Sequence, residues 1–304
     1  MPIHFGVQSR RHMIKSGATA FGLLVFKIAK AAPKSHRIAL LSDTHIPHSA
    51  KITAHGVNMT DNLNQVISEI TQRNTKPEAV LINGDCAYLK GTSADYRNLS
   101  RCVKPLAEHH IPLHLTMGNH DDRGPLYDEL NSQKPSNPLV AAKHVSLLET
   151  THANWFLLDS LLEVDVVTGE FGETQLAWLA AALDERPDKP AVIVAHHNPV
   201  FTPPPEGKRW PGLKDSKAFF DLITKRKHVK AYVYGHTHNW SVRTPRKHAG
   251  IHLINLPPVA YVFKKGQPNG WVLAEEQKNG LLLTLHTLDP NHSANLQQVQ
   301  LEWR

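Results

Sequence analysis

Two features of the sequence predict an α/β fold. Short apolar runs rich in Val, Ile and Leu contain few polar residues, as expected of strands that are buried on both faces. The segments between these runs repeat apolar residues at helical spacing, and alternating strands and helices are typical of a largely parallel sheet. The predicted strands cover residues 37–41, 79–82, 113–116, 191–195 and 231–234.

The predicted helices lie between these strands. Residues 63–70 place four apolar side chains at positions i, i+3, i+4 and i+7, which form one face of a helix. Residues 176–183 repeat this spacing, and residues 99–106 nearly do so. These three segments supply the helical half of the α/β pattern.

The C-terminal part of the chain has a different pattern. Residues 251–256, 271–274 and 281–288 have strand character and are separated by turn residues, which predicts a second, more antiparallel sheet. No internal repeat or linker interrupts residues 32–304. We therefore expect a single domain over that range.

Composition and charge indicate an ordinary globular protein. The chain has 304 residues, of which 41% are hydrophobic and 20% are charged. The formal charge of +7 is concentrated at the N-terminus, since residues 1–31 hold five basic residues and no acidic one, which leaves +2 for the remainder. A body this close to neutrality argues against nucleic acid as a partner.

Residues 1–31 have the pattern of an export signal. A basic stretch is followed by the apolar residues 17–26, with small residues at Ala29 and Ala31 before the expected cleavage site. The paired Arg10 and Arg11 resemble a twin-arginine signal, which predicts a periplasmic or extracellular mature protein. A membrane-anchoring helix is the alternative, but this apolar stretch is shorter than the ~20 residues that a bilayer requires. We expect no membrane contact in the mature form.

Each predicted parallel strand is followed by carboxylate, amide or imidazole groups. Ligands bind at the carboxyl ends of strands in open α/β sheets, so these groups are expected to meet at one edge. Carboxylate, amide oxygen and imidazole without thiolate suit Mn, Fe or Zn. One ion needs fewer ligands, which predicts two ions that share a carboxylate, about 3.5–4 Å apart. The groups that follow the strands are Asp43, His45, Asp85, Asn119, His120, Asp121, His196, His197, His236 and His238.

The motifs DTH, GD, GNHD, HH and GHTH, in this order over about residues 37–290, resemble the calcineurin-like metallophosphoesterase superfamily. The resemblance implies two mixed β-sheets packed face to face and flanked by helices. It implies that Asp85 bridges two metal ions. By the same resemblance, one ion is bound by Asp43, His45 and His238, and the other by Asn119, His196 and His236.

The resemblance also suggests a mechanism in which hydroxide held between the metals attacks phosphorus. His120 would point at the substrate and donate a proton to the leaving oxygen. Asp121 is expected to accept a hydrogen bond from the His120 ring and so to favour its cationic form. His120 and Asp121 are therefore the candidate catalytic residues.

Basic residues near these motifs are candidates for substrate binding. The proline-rich residues 201–217 include Arg209, and they form either a cationic flap over a phosphate site or an inert surface loop. Arg123 either reaches a phosphate oxygen or forms a salt bridge. Cys86 and Cys102 are expected to be buried thiols, with a disulfide as the alternative.

Histidines to which the resemblance assigns no role are predicted to be surface or packing residues. They are His48, His55, His109, His110, His114 and His197.

The predicted function is hydrolysis of a small phosphate ester. The segments GNHDDR and GETQLAWL resemble the branch of this superfamily that contains cyclic-nucleotide and related phosphodiesterases, and an acid-phosphatase-like phosphomonoesterase is the alternative. A nuclease is disfavoured by the charge, and a non-enzymatic scaffold by the complete set of ligands. The sequence does not indicate which oligomeric state the protein adopts.

Overall fold

Two six-stranded β-sheets form the framework of the computed structural model, which describes residues 36–248 and 250–303. In chain order the strands are β1 (Arg37–Leu41), β2 (Thr53–Ala54), β3 (Val57–Asn58), β4 (Ala79–Asn83), β5 (Leu113–Thr116), β6 (Ser146–Glu149), β7 (Asn154–Leu157), β8 (Ala191–Val194), β9 (Val229–Tyr234), β10 (Ser241–Arg243), β11 (His252–Asn255), β12 (Gly270–Gln277), β13 (Gly280–Thr287) and β14 (Gln298–Glu302). The helices are α1 (Met59–Gln72), α2 (Ser93–Glu108), α3 (Arg123–Glu129), α4 (Glu173–Asp184) and α5 (Ser216–Ile223).

Each sheet contains both parallel and antiparallel strands. The first has the order β14-β13-β12-β1-β4-β5, in which β1, β4 and β5 are parallel. The second has the order β10-β11-β9-β8-β7-β6, with antiparallel strands at both edges. Two mixed sheets flanked by helices were predicted, and this prediction is confirmed.

The predicted division of the strands between the sheets was wrong. The five apolar runs do not share one parallel sheet, since β8 and β9 belong to the second. The C-terminal strands do not form a separate sheet either, because β12 pairs antiparallel with β1, where Ile38 lies opposite Ala274. Apolar periodicity indicates that a strand is buried, but it does not identify the neighbouring strand.

Alternating side chains place the core in three layers. On β1, Ile38 and Leu40 face a cluster between the sheets that includes Trp155 and Val192 of the second sheet. Ala39 and Leu41 face the opposite way, into the cluster under α1 and α2. A third cluster lies between the second sheet and α4 and α5. The sheets therefore pack face to face, with helices on both outer faces.

Local signals explain the predicted helices and the omitted elements. Asn58 caps α1 through its side chain, and Thr92 and Asp95 form a capping box at α2. The short elements α3, α5, β6 and β7 were not predicted. The helices α3 and α5, with 7 and 8 residues, are too short for a helical repeat to reveal them.

The described residues belong to the compact unit Ser35–Arg304. The export signal predicted over residues 1–31 lies outside them and stays a prediction. Among the described helices, none is long and apolar enough to cross a bilayer. Cys86 and Cys102 are buried free thiols, as expected.

Candidate metal centre

The seven predicted metal ligands meet where the carboxyl ends of both sheets converge. They follow β1, β4 and β5 of the first sheet and β8 and β9 of the second. Six of the seven are buried, and His236 is partly exposed. Buried groups of this polarity require partners that offset the cost of desolvation.

The loops that carry these ligands have a strained backbone. Left-handed φ angles are rare outside glycine, and they occur at functional sites where the surrounding structure enforces them. Backbone hydrogen bonds hold the first two loops together, from Asp43 N to Gly84 O (3.1 Å) and from His45 N to Asp85 O (2.9 Å). The ligands with positive φ are Asp43, His45, Asp85, His236 and His238.

Two glycines permit the close approach of neighbouring loops. A Cβ atom at Gly118 would lie 2.2 Å from Asp85 Oδ1, and one at Gly235 would lie 2.0 Å from Ser42 Oγ. Neither position has room for a side chain, so glycine is required for these loops to bring the ligands together.

Asp43, His45 and His238 form the first ligand cluster, with their ligand atoms within 4.8 Å of one another. His238 Nδ1–H donates to Tyr261 O at 2.5 Å, so in the neutral ring the lone pair is on Nε2, which faces the cluster. That Nε2 lies 3.3 Å from Asp43 Oδ1 and 3.0 Å from His45 Nε2. Two ring nitrogens and a carboxylate at these distances form a set of metal donors.

The second cluster consists of Asp85, His196 and His236. His196 Nδ1–H donates to Asn83 O at 2.9 Å, and its Nε2 lies 3.2 Å from Asp85 Oδ2. His236 Nδ1 lies 3.3 Å from the same His196 nitrogen. The ring tautomer of His196 is thereby fixed for ligation.

Asn119 provides an independent test of whether this donor set fits a metal. Its Oδ1 is buried and accepts no hydrogen bond from any residue in the described part of the chain. A buried acceptor without a partner is costly, and a hard divalent cation would satisfy it. The donor set of the predicted ligands therefore fits a divalent metal ion.

Asp85 lies between the two clusters. Its Oδ2 is 3.7 Å from His45 Nε2 and 3.2 Å from His196 Nε2, so it faces one imidazole of each cluster. A carboxylate in this position could serve both clusters, and the bridging role that the resemblance implies for Asp85 stays a prediction.

The electrostatics of the clusters also favour bound cations. Burial alone would raise the pKa of Asp43, but the His238 and His196 rings hold it well below its ordinary value. Burial would lower the pKa of His196, yet the charges of Asp85 and Asp43 raise it to about 9. Burial lowers the pKa of His45 to about 3, which keeps that ring neutral and able to ligate. The two carboxylates thus remain ionised and require positive charge beside them.

His120 lies beside this centre. Its backbone N–H donates to Asp85 Oδ1 (2.9 Å), and its Nδ1–H donates to Leu89 O (2.6 Å). Nε2 is therefore the nitrogen available to a substrate. His120 also forms a third possible group of metal donors with His45 and Asp85. Its role as a metal ligand must therefore be separated from its role toward the substrate by measurement of metal content.

Asp121 does not contact the His120 ring as predicted. Its buried carboxylate accepts hydrogen bonds from the N–H groups of Cys86, Ala87 and Gly118 and from the Tyr96 hydroxyl. Burial, assisted by the charge of Asp85, raises the pKa of Asp121 to about 6, although its backbone donors oppose the shift. The backbone turn after His120 directs this carboxylate into the protein interior, where it joins two ligand loops.

Asp165 is the carboxylate that lies beside His120. Its Oδ1 is 3.6 Å from His120 Nδ1, and its backbone N–H donates to Asn119 O at 2.7 Å. Asp165 was not predicted as a site residue because it lies outside every motif. Its left-handed φ of 63° is visible only in the structure.

The two candidate arginines have different positions. Arg123 binds the buried Asp159 through two hydrogen bonds of 2.6 and 2.8 Å and also donates to Leu161 O. Arg123 therefore forms a structural salt bridge with Asp159 and is not a phosphate ligand. Arg209 lines the cavity above the metal ligands. Among residues 36–248 and 250–303, no hydrogen-bond or ion-pair partner of its side chain is found.

The cavity above the centre has a volume of about 340 Å³. Besides the predicted residues, Asp165, Val167, Tyr261 and Phe263 line it, and no sequence motif marked them. His197 does not line it: the ring is buried, with Nδ1 2.8 Å from Ser160 Oγ, as expected of a packing histidine.

Comparison with known proteins identifies the family. Residues 36–240 match the model of the calcineurin-like phosphoesterases. The chain belongs to this family. It is a metal-dependent phosphoric ester hydrolase.

Named relatives of this phosphoesterase include two bacterial proteins, each called 3′,5′-cyclic adenosine monophosphate phosphodiesterase CpdA. The one from Haemophilus influenzae is 30% identical over 205 residues, which cover 66% of this chain and 69% of the relative. The one from Vibrio vulnificus is 27% identical over 234 residues, which cover 76% and 78%. A solved dimetal phosphatase from Danio rerio has the same fold, with a TM-score of 0.66 at 16% identity over 88% of this chain and 99% of that one.

We predict that Asp121→Asn weakens the fold of this phosphoesterase without a specific effect on leaving-group chemistry. The amide would turn an NH₂ group toward backbone donors, at a cost of about 2–3 kcal/mol in unfolding free energy. Urea unfolding measures this loss. Asp122→Asn is the matched control, because Asp122 caps α3 and asparagine caps a helix equally well. Equal stability of the two variants would contradict the structural role of Asp121.

Proposed function

We propose that this protein is a phosphodiesterase for 3′,5′-cyclic nucleotides that works with two divalent ions. The observation that carries the proposal is the position of Asp85, whose Oδ2 faces an imidazole of each ligand cluster on the floor of the cavity. The names of the Haemophilus and Vibrio relatives support the substrate class. The GNHDDR segment that favoured a diesterase lies at this centre.

The residues that would hold the ions are those of the two clusters, with Asn119 completing the second. Two bound divalent cations would supply Lewis-acid activation of water and of the phosphate oxygens. Six of the seven ligands are buried, and their limited contact with bulk solvent strengthens the electrostatic interactions among them. Manganese, iron and zinc all suit these donors.

The protein side chains around the cavity have complementary roles. His120, oriented by Leu89 O, would donate its proton to the leaving sugar oxygen, which is a poor leaving group as an alkoxide. Arg209, which is exposed and lines the cavity, would offset charge on a non-bridging phosphate oxygen. These contacts orient the ester for in-line displacement of the sugar oxygen.

The substrate class is tested by assaying purified protein with Mn²⁺, Zn²⁺ or Fe²⁺ against aryl monoesters, aryl diesters and 3′,5′-cyclic nucleotides. We expect cyclic AMP to be hydrolysed to a nucleoside monophosphate with a higher kcat/KM than any monoester. Turnover of monoesters alone would identify a phosphomonoesterase and contradict the proposal.

The bridging role of Asp85 predicts that Asp85→Asn loses metal as well as activity. The amide removes the charge that faces both clusters, so we expect fewer than two ions per chain and nearly complete loss of turnover. Elemental analysis of the folded protein measures the ions, and circular dichroism confirms the fold. Asp165→Asn is the control for metal content alone, since this cavity carboxylate belongs to neither cluster but lies beside His120. Two ions in Asp85→Asn would show that the bridge is misassigned.

His120→Ala is predicted to separate proton donation from metal binding. We expect metal content close to that of the wild type and a loss of roughly 10²–10⁴-fold in kcat, as is typical of a missing general acid. Esters with an alkoxide leaving group should lose more than nitrophenyl esters, because nitrophenolate departs without a proton. If the variant loses a metal and slows both esters equally, His120 is a ligand.

A further inference from the structure

Phe263 is unusually exposed for a large apolar residue that lines an active-site cavity. Its exposed fraction is 63%, yet the residue forms part of the wall above the metal ligands. One face of the ring stacks on the His238 ring, with centroids 4.2 Å apart and planes inclined by 24°. Most of the remaining ring surface is open to solvent.

The surroundings of Phe263 hold its ring in place. Tyr261 meets it edge-on with centroids 5.8 Å apart, and His55 does so at 5.9 Å. Tyr261 itself packs against His55 at 4.2 Å and stacks on His45 at 5.2 Å. An aromatic ring fixed by three neighbours loses little further freedom when it binds a ligand.

The apolar surface extends beyond Phe263. Val167, with an exposed fraction of 37%, lines the same cavity, as does Tyr261. A phosphate group alone gains nothing from contact with an apolar surface, whereas pockets for larger ligands commonly combine apolar walls with a few polar anchors. The substrate should therefore carry an apolar or aromatic group beside its phosphate.

We propose that Phe263 is a specificity-determining residue, and that the open face of its ring stacks on the nucleobase of the substrate. This inference rests on the proposed function. The phosphate would lie on the metal centre, with Arg209 at its exposed side. Stacking on an aromatic ring tolerates any base, because every base has a π face. The site would thus accept purine and pyrimidine nucleotides and discriminate against sugar phosphates without a base.

The competing explanation is that Phe263 only shields His238 from solvent. In that case its removal would disturb the metal centre and would weaken every phosphate ligand to the same degree. Base stacking predicts a different result, because only ligands that carry a base would be affected. A pair of ligands that differ in the base alone separates the two explanations.

The experiment measures binding of 5′-AMP and ribose 5-phosphate to the Mn²⁺-loaded protein by calorimetry. We expect the wild type to bind AMP roughly 5- to 150-fold more tightly, which is the range for one stacked base. Phe263→Ala should reduce this ratio to near one, Phe263→Leu should lose most of it, and Phe263→Tyr should keep it. Leu296→Ala is the control, since Leu296 has a similar exposed fraction of 59% and lies outside the cavity lining.

Three results would overturn the inference: a wild-type ratio near one, a ratio unchanged in Phe263→Ala, or equal weakening of both ligands. None of them depends on turnover. A protein that distinguishes AMP from ribose 5-phosphate through Phe263 but hydrolyses no cyclic nucleotide would contradict the proposed function alone. Hydrolysis of cyclic AMP together with a ratio near one would contradict the role of Phe263 alone.

Discussion

The ionisation of two buried carboxylates is the constraint on which this structure depends. Asp43 and Asp85 are almost inaccessible to solvent, and a buried charge without compensation costs several kcal/mol. The compensation comes from imidazoles on both sheets, and divalent cations held by these donors would add to it. Neither sheet alone supplies enough of these groups, so the two sheets must converge at their carboxyl ends. The face-to-face packing of the sheets is thus coupled to the chemistry at their edge.

The strained ligand loops require support from outside the metal centre. Asp121 provides it by accepting hydrogen bonds from the loop that follows Asp85 and from Gly118, directly before Asn119. The same carboxylate accepts from Tyr96 on α2, whose hydroxyl also accepts from Asp122 N. A helix is thereby connected to two ligand loops through one buried side chain. This explains why a motif that contains two adjacent carboxylates places the first inside the protein.

How much the sequence predicted depended on the range of the interactions. Strand positions and the polar residues that follow them are encoded locally, whereas the resemblance was needed to select the ligands among these residues. The structure places six of the seven in the two clusters and Asn119 in the wall of the cavity above them. The sheet to which β12 belongs was predicted wrongly, because its pairing with β1 joins distant parts of the chain. The partner of Asp121 was predicted wrongly, and the two alternatives for Arg123 stayed open, because spacing does not determine the direction of a side chain after a turn. Asp159, which binds Arg123, lies 36 residues away.

The cavity wall was the part least accessible to prediction, and the reason is structural. The metal ligands stand at strand ends, where backbone pairing fixes their positions. Val167 and Phe263 stand on irregular loops, where one apolar residue carries no periodic signal. Rigid strand ends set the chemistry, while loops around them set which ester can approach. Proteins that share one set of metal ligands can therefore accept different substrates when their loops differ. In this chain the exposed ring of Phe263 lies on such a loop, so the substrate preference depends on the loops.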